Sequence, residues 1–131
     1  MSIVKNKAVV RRFIKEVLSR GNVDLLDELL APNYVNPSMG VTNRAGFKSA
    51  VSGLKAAMPV REFKVEDLVA EGNSVVFRGT LNTTLASGKK VSARVITYYR
   101  LAKGKIVEDD PMSVPDLNQL MGGMMPPPSG S

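Results

Sequence analysis

The chain has no cysteine, no histidine and no tryptophan, and only three Tyr and four Phe in 131 residues. Without cysteine there are no disulfides, thiol nucleophiles or thiolate metal sites. Without histidine the commonest general base and metal ligand near neutral pH is missing. Any proton transfer must therefore fall to carboxylates, Tyr, Lys or Arg. No apolar run reaches the roughly 18 residues that a membrane span needs, and Met1-Ser2-Ile3-Val4-Lys5 leads into no signal-peptide core. The expectation is a cytoplasmic protein with no membrane partner.

What is present is enough for one core. A hydrophobic share of 44% is ordinary for a globular chain, and this length suits a single domain. Residues 1–121 form that domain in this reading. Gly122 to Ser131 is rich in Gly, Pro and Ser, has no periodic face to bury, and reads as a flexible tail.

The formal charge is +6, and Lys5, Lys7, Arg11, Arg12, Lys15 and Arg20 crowd one segment. Phosphate binding needs such clustering. The scarcity of aromatics and the lack of any zinc, helix-turn-helix or single-strand-binding signature argue against nucleic acid, and favour a solvated helix face. A binder of nucleic acid or of an acidic partner through this segment stays open as a third reading.

Val10, Phe13, Ile14, Val17 and Leu18 recur at helical spacing, which predicts a helix from about Val4 to Arg20 ended by Gly21. Asn22 or Asp24 can cap a second helix carrying Val23, Leu26, Leu29 and Leu30, stopped by Pro32. Asn33 to Gly40 is an irregular stretch of turn formers. Thr42 or Asn43 caps a third helix with Phe47, Ala50, Val51, Leu54 and Met58, ended by Pro59. The period then becomes two. Phe63, Val65 and Val69 mark the buried face of a first strand, followed by strands from Ser74 to about Leu85, Lys90 to Leu101 and Lys105 to about Ser113. Short Gly-containing turns join the four into an antiparallel meander. Val114 to Met121 can form a closing helix, and Met39, Met58, Met112 and Met121 suit core filler better than a flexible ligand lining.

Three helices followed by a meander give an α+β domain, the helices packed on a curved antiparallel sheet of about four strands that encloses an interior pocket. The segments Asn6-Lys7-Ala8-Val9-Val10-Arg11-Arg12-Phe13, Leu26-Asp27-Glu28-Leu29-Leu30-Ala31-Pro32-Asn33-Tyr34-Val35 and Tyr99-Arg100-Leu101-Ala102-Lys103-Gly104-Lys105-Ile106-Val107-Glu108 sharpen this. With Gly46-Phe47 and Val65 to Gly72, they resemble the nuclear transport factor 2-like cone. The closer likeness is to its SnoaL-like polyketide cyclase branch, over about residues 5 to 121. The resemblance implies fold more than reaction, because this fold hosts isomerases, cyclases, hydrolases and proteins without chemistry.

In the related ketosteroid isomerases, an oxyanion-stabilising acid falls on Thr97, a helix-borne Tyr on Phe13 and the general-base Asp at or beside Asn36. Phe cannot donate a hydrogen bond, Thr is a weaker donor than a neutral acid, and Asn cannot act as a base. The resemblance therefore does not extend to steroid isomerisation by that mechanism. It implies that Ala93, Val95, Thr97 and Tyr99 face inward together, because strand side chains alternate. Val107, Asp109 and Pro111 likewise face inward, and Glu108 and Asp110 outward.

SnoaL-like cyclases commonly carry a His or Asp acid/base at the position of Asp109. An inward carboxylate there would be raised toward working pH. Two alternatives remain. Glu108-Asp109-Asp110 can be an exposed acidic strand end paired with Arg94 or Arg100, or a bulge before Pro111 can exchange Asp109 and Asp110.

The candidate catalytic residue is thus Asp109, with Asn36, Tyr34, Phe13, Thr97 and Tyr99 as candidate substrate-binding residues. Asn36 and Tyr34 are equally suited to a turn and a core. The expected ligand is a small hydrophobic carbonyl compound, with no metal or organic cofactor required. A non-catalytic ligand-binding or dimeric scaffold domain is the second reading. The cone resemblance implies a homodimer through the outer sheet face.

Overall fold

The computed structural model describes residues 2–116 and Gln119. Helix α1 spans Ile3–Arg12, with the Ser2 side chain accepting from the Lys5 N–H at 3.1 Å as its N-cap. It continues without a break as π-helical turns over Phe13–Ser19. The predicted helix is therefore present at its predicted length, but its second half is underwound. Gly21 ends it at φ 72°, a conformation natural to glycine.

A 3₁₀ turn, Val23–Leu25, runs into the single-turn helix α2, Leu26–Leu29. Neither Asn22 nor Asp24 makes the expected cap, since Asn22 contributes no side-chain bond and Asp24 lies inside the turn. The helix also stops earlier than its periodicity suggests. Leu30 opens strand β1, Leu30–Val35, so Pro32 interrupts no helix and instead sits in a short strand. Helix α3, Arg44–Ala57, is capped as expected by Asn43, whose Oδ1 accepts from the Gly46 N–H at 2.7 Å.

The meander follows as β2 (Val60–Glu71), β3 (Ser74–Thr84), β4 (Lys90–Ala102) and β5 (Lys105–Val114). The sheet has five strands in the order β1-β5-β4-β3-β2, not four. β1 is the strand the periodicity hid: it joins the far edge parallel to β5, in irregular register. Pro32 is compatible with that edge position, because an edge strand has one side free of ladder bonds.

Two bulges set which side chains face the helices. In β2 the register slips between Val65 and Asp67, so Leu68 and Ala70 take the inner positions opposite Phe77 and Val75. Val69, expected inside, is consequently exposed. Gly79 lies opposite Val65 at this slip, and a Cβ on it would sit 2.0 Å from the Lys64 carbonyl and 2.5 Å from the Phe77 ring. In β5 the irregularity lies between the pairs Arg100↔Glu108 and Leu101↔Ile106, which leaves Val107 as the extra residue.

The core lies between the three helices and the inner face of the sheet, and includes the fully buried Val10, Phe13, Ile14, Val17, Leu30, Phe47, Val51 and Phe77. Each such side chain contributes about 1.5–3 kcal/mol relative to exposure. Arg61 fastens the layers, its guanidinium donating to the Leu18 carbonyl at 2.7 Å and the Met58 carbonyl at 3.1 Å, near the C-terminal ends of two helices. Met58 is core filler as expected, whereas Met112 is 73% exposed on the outer face. Val114, expected to begin a closing helix, ends β5. Met121 and most of that helix, and the predicted tail from Gly122, lie outside the described residues. Asp116 does accept from the Gln119 N–H at 3.3 Å.

Candidate functional site

Strand alternation brings Thr97 and Tyr99 of β4 and Asp109 of β5 to the inner face, where Tyr99 pairs directly with Asp109. Asp109 is 3% exposed, while Asp110 beside it is exposed. The bulge in β5 falls at Val107, ahead of Asp109 rather than after it, so Asp109 keeps the inner position. Arg100, the feared surface partner, pairs instead with Glu108 at 3.1 Å on the outer face.

β1 completes the group. Tyr34 is fully buried and its hydroxyl donates to Asp109 Oδ2 at 2.7 Å. Two residues on, Asn36 is also buried, and its Nδ2 reaches the Tyr34 hydroxyl at 3.4 Å and the Met39 sulfur at 3.2 Å. The Asn36 Oδ1 accepts from the Met39 N–H at 3.1 Å, capping the 3₁₀ turn Pro37–Met39. Gly40 closes this small loop at φ 70°, and a lone bridge links Asn36 to Val41. Asn36 is therefore both a turn former and a buried neighbour of the carboxyl group. Ser38 ties the loop to β5, donating to the Pro111 carbonyl at 3.2 Å.

Aromatic rings wall the carboxyl group in. Tyr34 meets Phe47 edge-on at 5.2 Å, Phe47 meets Phe13 at 5.6 Å, and Phe13 meets Tyr99 edge-on at 6.0 Å. Such offset and edge contacts are the favoured ring geometries. The rings pack where the sequence suggested an open pocket: Phe13, Tyr34, Phe47 and Tyr99 are 0% exposed around the carboxyl group.

Burial pushes the Asp109 carboxyl up to about 7, because its charged form loses solvation. The Tyr34 hydrogen bond opposes the rise, the charge of Asp110 adds to it, and the Asn36 amide holds it down slightly. Tyr34 and Tyr99 are both pushed well above the ordinary phenol range, first by burial and then by the charge of Asp109. Both hydroxyls are thus neutral donors at neutral pH. The Tyr99 hydroxyl has no hydrogen-bond partner. Thr97 opposes the Tyr99 shift in part, but its hydroxyl does not meet hydrogen-bond geometry with the phenol.

Two buried polar residues were not singled out by the sequence reading: Thr83, whose hydroxyl donates to the Val60 carbonyl at 2.7 Å, and Asn6. Asn6 is fully buried with both amide atoms unpartnered. Its signal was available, since Asn6 occupies a core position of the stripe that continues through Val10, Phe13 and Val17. Among the described residues, no group of three or more acidic side chains gathers closely enough to hold a metal ion, and no helix is long and apolar enough to cross a membrane.

The SnoaL-like domain family model matches residues 10–109, from the last turn of α1 through Asp109. The chain belongs to the SnoaL-like domain family. Three solved structures show how far that likeness extends. A candidate SnoaL-like polyketide cyclase from Jannaschia sp. CCS1 superposes with a TM-score of 0.80 at 23% identity, over 98% of each chain. A candidate polyketide cyclase from Acidithiobacillus ferrooxidans gives 0.77 at 26% identity, over 94% of this chain and 99% of its own. TsrD from Streptomyces laurentii gives 0.79 at 20% identity, over 94% of this chain and 98% of its own. No curated protein sequence is significantly similar to this one. The SnoaL-like cone is thus shared nearly end to end, at identities that carry the fold and leave the reaction to the site.

Proposed function

We propose that this SnoaL-like protein is an acid/base enzyme acting on a small hydrophobic carbonyl compound, with Asp109 as the group that takes and returns the proton. The observation that supports it most is a single carboxyl group, buried among aromatic rings and held by the neutral Tyr34 hydroxyl at 2.7 Å. A carboxyl raised to about 7 is matched to proton transfer near neutrality. In the ionised form, Asp109 removes a proton from the carbon next to a carbonyl. The unpartnered Tyr99 hydroxyl donates to the oxygen that gains charge, a role in which a preorganised donor is effective. The resulting carbon nucleophile forms a carbon–carbon bond to a second carbonyl of the same molecule, and Asp109 returns its proton to the new alkoxide. Tyr34 and Asn36 orient the carboxylate, and Phe13 and Thr97 line the approach. The substrate enters by parting the Asn36–Val41 loop from Pro111, since the rings otherwise close the site.

The test is proton exchange at the carbon between two carbonyls, followed by NMR in deuterated water with an aryl β-diketone as the model substrate. Asp109→Asn is expected to slow the protein-catalysed rate by about 10²–10⁴-fold. Equal rates for the variant and the wild type would remove Asp109 from the chemistry.

A second reading, a non-catalytic ligand-binding or scaffold domain, is favoured by the filled interior. It shares with the first a homodimer across the outer sheet face, where Ile96 and Met112 pair on adjacent strands with Val114 beside them, all three exposed. Light scattering is expected to give a dimer for the wild type and a monomer for Met112→Glu. A monomeric wild type at working concentration would contradict the dimer.

A further inference from the structure

We propose that the outward stripe of α1 is a docking groove for an acidic amphipathic helix of a partner protein. A surface hollow of about 680 Å³ runs along this stripe, between the helix and the turn that follows it. Its charged wall is Lys7, Arg11 and Lys15 with Arg12 and one acid, Glu16, both of which are held in ion pairs, and its apolar surface comes from Val4, Ala8 and Leu25. Val4, Ala8, Arg11 and Lys15 are exposed and Lys7 is half-buried, whereas Val10 and Phe13 of the same helix are fully buried and Leu25 packs partly against the core.

The charges are arranged against the interest of the helix itself. Lys7, Arg11 and Lys15 are four residues apart and so lie one above another, where like charges destabilise a helix. The first turn contains no acidic residue to complement the helix dipole. Elsewhere on the same segment both remaining arginines are paired, Arg12 with Glu28 and Arg20 with Glu16 at 3.0 Å, while Lys5 at the first turn enters no ion pair among the described residues. Lys7, Arg11 and Lys15 enter none of the ion pairs among the described residues. A local rule broken with no compensation inside the chain is expected where a surface serves a partner.

The three cations span about 12 Å along the axis. A partner helix with carboxylates four residues apart presents the same repeat. Val4, 76% exposed, gives that partner an apolar contact at the end of the row. The net charge of +6 would speed the encounter by electrostatic steering.

Single-stranded nucleic acid fits less well, because its bases need aromatic platforms. Phe13, Phe47, Phe77, Tyr34 and Tyr99 are all fully buried, and no aromatic residue lines the hollow. A membrane surface fits less well too, since a shallow concave groove with one projecting Val offers little to insert.

The experiment is fluorescence anisotropy on the full chain with a labelled helical peptide of about 18 residues, carrying Glu at three successive four-residue spacings and Leu on the same face. The variant Lys7→Gln, Arg11→Gln, Lys15→Gln is expected to weaken binding by about tenfold or more, with an unchanged or raised melting temperature. The matched variant Lys48→Gln, Lys64→Gln, Lys89→Gln removes the same charge from elsewhere and is expected to bind as the wild type does. Equal weakening by both variants would reduce the effect to net charge and overturn the site. Equal or tighter binding of oligothymidylate, or of vesicles containing phosphatidylserine, would overturn the choice of partner. A fall in melting temperature in the first variant would make these cations structural and overturn the proposal.

Discussion

Glu108 and Asp109 are neighbours in one strand and differ in almost every physical respect. Glu108 faces outward, half-buried, and pairs with Arg100 at 3.1 Å. Asp109 faces inward, has a phenol instead of a cation for company, and titrates near 7. A cation beside a carboxylate stabilises its charge, whereas a hydroxyl alone cannot replace the water lost on burial. The same division runs across both strands. Tyr98, on the outer face, shares a 3.0 Å hydrogen bond with Ser74, and Tyr99 has none. These outer-face groups have polar partners, while the inner face keeps an acid without a cation and a donor without an acceptor. That contrast, more than any single residue, is what supports the proposal of chemistry on the inner face.

The comparison breaks most severely if the inner acid is made neutral. Asp109 binds its proton more tightly folded than unfolded, so its contribution to stability is fully present below its unfolded value, 3.8, and is lost as pH rises through about 7. Asp109→Asn is expected to remove this dependence. Thermal unfolding should then show the variant more stable than the wild type at about pH 8, by a few kcal/mol, with the difference shrinking toward about pH 4. A wild type whose stability did not fall over that window would place the carboxyl in water.

Tyr34→Phe sharpens the contrast by removing the bond that opposes the rise. NMR titration of Asp109 is expected to show a still higher midpoint, and the variant should lose about 1–3 kcal/mol where the carboxylate is charged. Tyr99→Phe has a smaller effect of opposite sign. Deleting a buried hydroxyl without a partner should raise stability by about 1 kcal/mol, while slowing exchange in the diketone assay. Glu108→Gln is expected to do least, about 0.2–1 kcal/mol, and to do less as salt is added.

Much of the inner face was legible because strand alternation is strict. With Thr97 turned inward by the family resemblance, alternation carried Ala93, Val95 and Tyr99 with it, while the inward direction of Asp109 came from the resemblance and its pairing with Tyr99 from the structure. The features that escaped depend on the whole chain. β1 has only six residues, two of them Pro32 and Asn33, and pairs with a strand more than 70 positions away, so neither propensity nor local spacing announces it. The bulge in β2 is equally hidden, and it turned Val69 outward. The bond between Tyr34 and Asp109 joins these two kinds of information. Each residue was a candidate on its own, but only the parallel pairing of β1 with β5 puts the hydroxyl on the carboxylate. The rings that close the site were visible as core positions, although their mutual packing was not.

The slip at Glu66 also bears on how the chain avoids its own copies while it folds. β2 forms one border of the sheet, and a long, regular border strand is a template onto which another chain can add. The extra residue interrupts that template near its middle. Glu62, Lys64, Glu66 and Asp67 add solvated charge on either side, so a second strand would meet both a broken hydrogen-bond ladder and ions to strip of water. The irregularity that cost Val69 its place in the core thereby protects the exposed border from aggregation.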